Sequence, residues 1–226
     1  MTKLITAEVL KQMTLDNYQR KYNTISPDKI NVSWGNSLRE TKGRLDCQIL
    51  FLNINGIQQT NDFEKMFEIG EELVYNDVDM TCLAKTKINW HRQKTKCSCE
   101  CIAKRYHNQA KFITSSAIPD NINRIYQPGG TATIIGDPYM GRICKIETDN
   151  KYGRWTKVTF QGKSDKKVTI ITAYQVNKDT VNTADDRSTW KQQYNIMRQE
   201  GIQNPDPRKR FWEDLENEIK KLQHDK

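Results

Sequence analysis

Cys47-Gln-Ile-Leu-Phe-Leu-Asn53-Ile-Asn55-Gly56 and, beyond one helical segment, Asp79-Met-Thr-Cys-Leu-Ala84 are the stretches that decide the fold. Both are short and mostly apolar, and the first is stopped by glycine, a pattern expected of strands buried on both faces. Between them Phe63, Met66, Phe67, Ile69, Leu73 and Val74 recur at helical spacing, and Asn61 with Glu64 can form a capping box, which predicts a helix over 62–75. Strand, helix and strand in so short a span predict a βαβ-like unit whose strands share one sheet.

On the N-terminal side, residues 6–22 read as an amphipathic helix through Val9, Leu10, Met13 and Tyr18, and 23–45 as a polar linker. A first region, 1–45, is thereby set apart from a domain over 46–226. On the C-terminal side, Lys111–Thr114, Gly130–Ile135 and Arg142–Glu147 carry strand signals, and 154–160 with 167–174 read as a hairpin. Two helices follow, over about 186–200 and 207–223. Asp206-Pro207 is a strong helix start, because Asp caps and Pro tolerates the first turn.

The chain of 226 residues carries a net charge of +8, and its hydrophobic share is 36%. No run approaches the ~18 apolar residues of a membrane helix, and Met1–Lys11 has no signal-peptide core. An intracellular protein is expected, nuclear or cytoplasmic being left open, with its six cysteines as free thiols. The basic balance favours an anionic partner, nucleic acid first, beside the plainer reading of a lysine-rich solvated surface.

Residues 86–111 hold Lys87, Arg92, Lys94, Lys96, Lys104, Arg105 and Lys111 against Glu100 alone. They read as a basic, mobile loop whose cations could neutralise phosphates while Trp90 and Tyr106 stack on bases. Cys97, Cys99 and Cys101, with His91 and His107, have the ligand count of a zinc site but not its usual spacing, so incidental thiols are the competing reading. Trp155 and Trp212 are expected in the core rather than at a ligand. Asn53 and Asn55 fall on one face at the end of the first strand, where amides are either paired structurally or part of a site.

Taken in order, these motifs resemble the endonuclease/exonuclease/phosphatase superfamily, and retrotransposon-type endonucleases in particular. The resemblance rests on Asn53-Ile-Asn55-Gly56-Ile57, then Cys82-Leu-Ala-Lys85-Thr86-Lys87, Gly129-Gly-Thr-Ala132, Thr172-Ala-Tyr174 and the Pro207-Arg208, Phe211, Leu215 pattern. It spans about 46 to 222. It implies an α/β (α+β by some schemes) deoxyribonuclease-I-like four-layer sandwich, represented by roughly its first half with an exposed inner face. It also implies a Mg²⁺-dependent phosphodiester hydrolase acting on nucleic acid, DNA ahead of RNA. In it Asn53 would hold phosphate or orient water, Asn55 would stand in the outer metal shell, and Tyr174 would touch the scissile phosphate. Lys85 stands where the family carries its metal-binding Glu, and the later Gly-Asp-x-Asn and Ser/Thr-Asp-His motifs are not in the sequence. The expectation is therefore a domain that does not hydrolyse and does not bind Mg²⁺. The alternative is a non-catalytic nucleic-acid-binding module that uses the basic segment.

Overall fold

The computed structural model describes residues 42–43, 46–57, 63–119, 123–137, 139–178 and 188–224. The predicted helix over 6–22, nearly all of the linker, and Asn61 lie outside them. The described residues form a mixed α/β structure of two sheets and four helices. In chain order these are β1 (Ile49–Asn53), α1 (Glu64–Tyr75), β2 (Met80–Ala84), α2 (Gln93–Tyr106), β3 (Lys111–Ser115), β4 (Thr131–Ile135), β5 (Ile143–Thr148), β6 (Trp155–Gln161), β7 (Lys167–Ala173), α3 (Thr189–Gln199) and α4 (Pro207–His224). No helix among them is long and apolar enough to cross a membrane, and all six cysteines are free.

The βαβ expectation holds: β1 and β2 are parallel neighbours, with Asn53 opposite Ala84. β4 continues the sheet antiparallel to β2, and β3 pairs antiparallel to β4, giving the order β1-β2-β4-β3. The predicted hairpin is β6–β7, and with β5 it forms a second, antiparallel sheet ordered β5-β6-β7. β2 is buried throughout, as its apolar run predicts. β1 is not. Leu50 and Leu52 pack toward the helices, but Ile49 and Phe51 are exposed. The reason is position: among the described residues β1 is an edge strand, and the second sheet centres its packing on β2, β4 and β3.

Between the sheets lie Met80, Ile113, Ile135, Val158 and Phe160. The same layer buries three hydroxyls that satisfy one another, Thr133 Oγ1 lying 2.6 Å from that of Thr156 and 2.7 Å from that of Thr172. On its other face the first sheet is covered by α1 and α2. These helices approach closely at Gly70, where a Cβ would come within 2.1 Å of the Tyr106 ring.

Helix α2 corrects the reading of 86–111 as a mobile loop. Its buried residues Thr95, Cys99, Ile102 and Ala103 recur at spacings of helical period and make an inward stripe in a segment that is otherwise polar. Helix α1 begins at Glu64 with Phe63 as its N-cap and no side-chain cap. By contrast, α4 starts as expected, with Asp206 Oδ1 accepting the Arg208 and Lys209 amides at 2.9 and 3.1 Å.

The outer face of the second sheet is joined to α4 by charge as much as by apolar contact. Trp155 meets Phe211 edge-on at 6.1 Å. Arg154, 2% exposed, gives its Nε to Asp149 at 2.6 Å and its Nη2 to Asp214 at 2.9 Å, and stacks against Tyr152 and Trp155. Buried Lys157 pairs with Glu147 and Glu218. Trp212 is a second correction: it is 58% exposed, not core. Adjacent helix positions point about 100° apart, and Phe211 holds the inward one.

Burial alone would lower the Lys157 ammonium, but hydrogen bonds to Glu218 and Glu147 hold it above 10.5. The two carboxyls resist burial and are held below 4.5 by the same lysine. Carboxyls lowered on folding stabilise the fold fully above about pH 4.5, and that support is lost as pH falls through the folded value. The thermal midpoint should therefore fall on acidification below pH 4.5, and less steeply in Lys157→Met. Arg154→Ala leaves buried Asp149 without its cation, while Asp214 keeps Arg210 at 2.9 Å, and should cost roughly 3 kcal/mol in urea unfolding.

Candidate functional site

The carboxyl ends of β1 and β2 converge, because the strands are parallel and in register to Asn53 and Ala84. The backbone just beyond them is unusual. Asn55 (φ 49), Lys85 (φ 57) and Lys87 (φ 56) all adopt the left-handed region, joined by Gly56, Gly129 and Gly130. For residues with a Cβ this conformation costs on the order of 1 kcal/mol or more, and such residues gather at sites whose surroundings force them.

What forces Lys85 and Lys87 is the residue between them. Thr86 has no exposed surface. Its N–H is donated to the Gly130 carbonyl at 3.1 Å and its carbonyl accepts from Ile57 at 2.8 Å. Its Oγ1 accepts the Trp90 indole N–H at 3.0 Å. The lysines on either side remain partly exposed. Gly130 completes the joint: a Cβ there would sit 2.6 Å from Thr86 Oγ1.

Lys65, in the first turn of α1, donates its Nζ to the carbonyls of Ile54 (2.5 Å) and Gly56 (3.1 Å). A cation in a first turn opposes the helix dipole, and that was the one signal by which the sequence could have revealed it. Three lysines thus border the strand ends. Burial, and then the charge of Lys87, push the Lys85 ammonium below its ordinary value.

Asn53 and Asn55 are both exposed here. Tyr174 reaches the same end of the molecule from the second sheet. Its N–H is donated to the Arg154 carbonyl at 2.8 Å, and its hydroxyl has Thr189 as a hydrogen-bonding partner. The Thr189 methyl lies where a Cβ on Gly129 would come within 2.8 Å of it. Burial raises the Tyr174 phenol above its usual value, so it stays protonated at neutral pH.

The remaining basic residues do not join this cluster as one patch. Arg92 stands at the N-cap position of α2 without a side-chain cap, and Lys94 and Lys96 follow in its first turns, whereas Lys104 and Arg105 lie in the last. At 1.5 Å per residue the two groups are separated by roughly 15–20 Å. Lys104 is paired with Glu100 at 2.8 Å, and Arg105 stands over the Phe67 ring. Trp90 is not a stacking platform, being 5% exposed and engaged edge-on with Phe112. Tyr106 lies against Gly70 in the core.

Nor do the cysteines converge. On α2, Cys99 points inward, where burial pushes its thiol up to about 12, and Cys97 and Cys101 point outward. Residues two apart on a helix face opposite ways. Among the described residues no three His, Cys, Asp or Glu side chains come together to hold a metal. Among the described residues the strand ends bring together the ammonium groups of Lys65, Lys85 and Lys87, and an ammonium is no ligand for a hard dication such as Mg²⁺.

No protein-family model matches the sequence, and no curated protein matches it. The structure is similar to a solved structure described as an endonuclease/exonuclease/phosphatase family protein from Leptotrichia buccalis C-1013-b, with a TM-score of 0.41 and 13% sequence identity. The similarity covers 71% of this chain and 65% of that one.

Thr86→Val keeps the shape at the joint but leaves the buried indole N–H of Trp90 unpaired. The expected cost is about 1–3 kcal/mol in denaturant unfolding. Thr114→Val, away from the joint, should change stability much less.

Proposed function

We propose that the strand ends bind the phosphate backbone of nucleic acid, duplex DNA ahead of RNA, and that the chain is a non-hydrolysing domain of the endonuclease/exonuclease/phosphatase type, of retroelement character. The observation that carries this is the set of lysines 65, 85 and 87 around the ends of two parallel strands, with two of them in left-handed backbone. In open α/β sheets, ligands bind beyond the carboxyl ends of parallel strands. An ammonium that burial and a like charge destabilise gains more from an incoming phosphate than a fully hydrated one. Asn53 and Asn55 can donate amide hydrogens to phosphate oxygens, and Tyr174, kept protonated, can donate its hydroxyl. Among the described residues at the strand ends there is no carboxylate or imidazole to activate water, and binding without hydrolysis is the activity this set of residues supports.

The same reading covers the architecture: a deoxyribonuclease-I-like sandwich of which 46–226 supplies the first part. Its support is the uncovered strip formed by Ile49 and Phe51 on β1, together with exposed Val168 on β7, each on an edge strand.

The test is a fluorescence-anisotropy titration of labelled duplex across a salt series, beside nicking of supercoiled plasmid with Mg²⁺ and an EDTA control. Binding should weaken steeply with salt. Lys85→Ala and Lys87→Ala should each reduce the slope of log affinity on log salt by about 0.9, one phosphate contact apiece. Neither the chain as it stands nor Lys85→Glu should nick. Nicking that EDTA abolishes would overturn the non-hydrolysing reading, and binding indifferent to both alanine variants would overturn the site.

A further inference from the structure

Trp90 and Tyr106 are taken up by the core, yet another aromatic ring stands beside the strand-end lysines. It belongs to the segment that leads into the Gly129–Gly130 turn. Gln127 donates its N–H to the Lys87 carbonyl at 3.3 Å, and Asn89 donates its N–H to the Ile125 carbonyl at 3.0 Å. Between these two bonds Tyr126 faces Ile88 as an antiparallel pair. Pairs flanked in this way are the closely spaced kind, with Cα atoms about 4.5 Å apart. A third tie runs from Asn89 Nδ2 to the Arg124 carbonyl at 2.8 Å. The backbone under Tyr126 is therefore fixed one residue from Lys87. Ile88 is 1% exposed, whereas Tyr126 is 43% exposed, so its ring is partly covered and partly open to solvent. Tyr126 also lies near enough to Tyr174 for its charge to bear on that phenol.

We propose, on the phosphate-binding reading of Lys85 and Lys87, that Tyr126 receives an unpaired base of the bound strand, so that the strand ends select nucleic acid with an unstacked nucleotide over continuous duplex. A lone exposed aromatic is ordinary and needs no explanation. Tyr126 differs by its place, since two lysines in left-handed backbone and the Tyr174 phenol share its end of the molecule. A cation for the backbone with a ring for the base is the combination that holds single strands. In continuous duplex both faces of a base are covered by its neighbours, so the ring has nothing to stack on. Freeing a base costs unstacking and unpairing, and the cost is least where the base is already unpaired. The ring therefore adds affinity only for a strand that presents such a base. It adds it without regard to sequence, because every base has a π face.

The probe is a DNA duplex with one unpaired fluorescent purine analogue at its centre, beside the same duplex fully paired, each titrated with the full chain. The bulged duplex should bind about tenfold more tightly. Its fluorescence should fall on binding, because stacking quenches the analogue. Tyr126→Ala should weaken the bulged duplex about tenfold and the paired one far less, and should abolish the quenching. Tyr126→Phe keeps the ring without the hydroxyl, and should keep both the preference and the quenching. Lys85→Ala should weaken the two duplexes alike. A preference or quenching that survives Tyr126→Ala, or equal losses for both duplexes in that variant, would overturn the proposal. Loss of the preference in Tyr126→Phe would overturn stacking as its cause. Paired-duplex binding with the lysine-dependent salt slope, but no preference for the bulge, would overturn the role of Tyr126 alone. Binding to neither duplex would overturn it together with the phosphate-binding reading.

Discussion

The candidate site depends on one buried residue with no charge. Thr86 binds the β1–α1 turn through its carbonyl, the Gly129–Gly130 turn through its N–H, and the start of the α2 segment through its hydroxyl. Each of these groups would be costly to bury unpaired, so together they fix the chain at this point. The fixed path leaves Lys85 and Lys87 no choice but the left-handed region. The strain is therefore local and compensated locally, and its product is two lysines held on a rigid turn at the ends of parallel strands.

The second sheet supports the same end by a different means. Arg154 bridges the β5–β6 turn to α4 through Asp149 and Asp214, and its own carbonyl accepts the N–H of Tyr174. A side-chain network on the outer face thus fixes the backbone from which Tyr174 reaches toward Thr189 and the Gly129 turn. The hydroxyl contacts of Thr133 with Thr156 and Thr172 hold the two sheets in one relative register two residues before Tyr174. Directional hydrogen bonds do this better than apolar contacts, which tolerate sliding.

The parts legible in the sequence were those where one physical signal dominated. The apolar run of β2, the period of α1, the β6–β7 hairpin and the Asp206 cap all read correctly, because burial or capping alone determines them. β1 misled because an apolar run does not tell a central strand from an edge with one uncovered face. Helix α2 was hidden because its inward stripe is made of Thr95, Cys99, Ile102 and Ala103, two of which do not count as apolar by habit, amid many lysines. Once the helix is seen, the three cysteines separate by rotation. Phe211 and Trp212 show the same limit, since adjacent aromatics leave the inward one undecided without the packing partner. Lys65 and the joint at Thr86 depend on contacts between turns distant in sequence, which no local pattern carries.

In the proposed reading, Lys85 is set against the carboxylate that the resemblance implies at that position. A carboxylate needs a dication to make phosphate welcome, and with it comes a polarised, ionisable water. An ammonium gives the attraction directly and without the water. The two arrangements therefore attract the same ligand, but only one of them generates a nucleophile. The local fold is indifferent to the exchange, because Thr86 and Gly130, not the side chain at 85, set the turn. On the proposed phosphate-binding reading, one substitution removes the nucleophile from a site built this way while its shape and its attraction for phosphate persist.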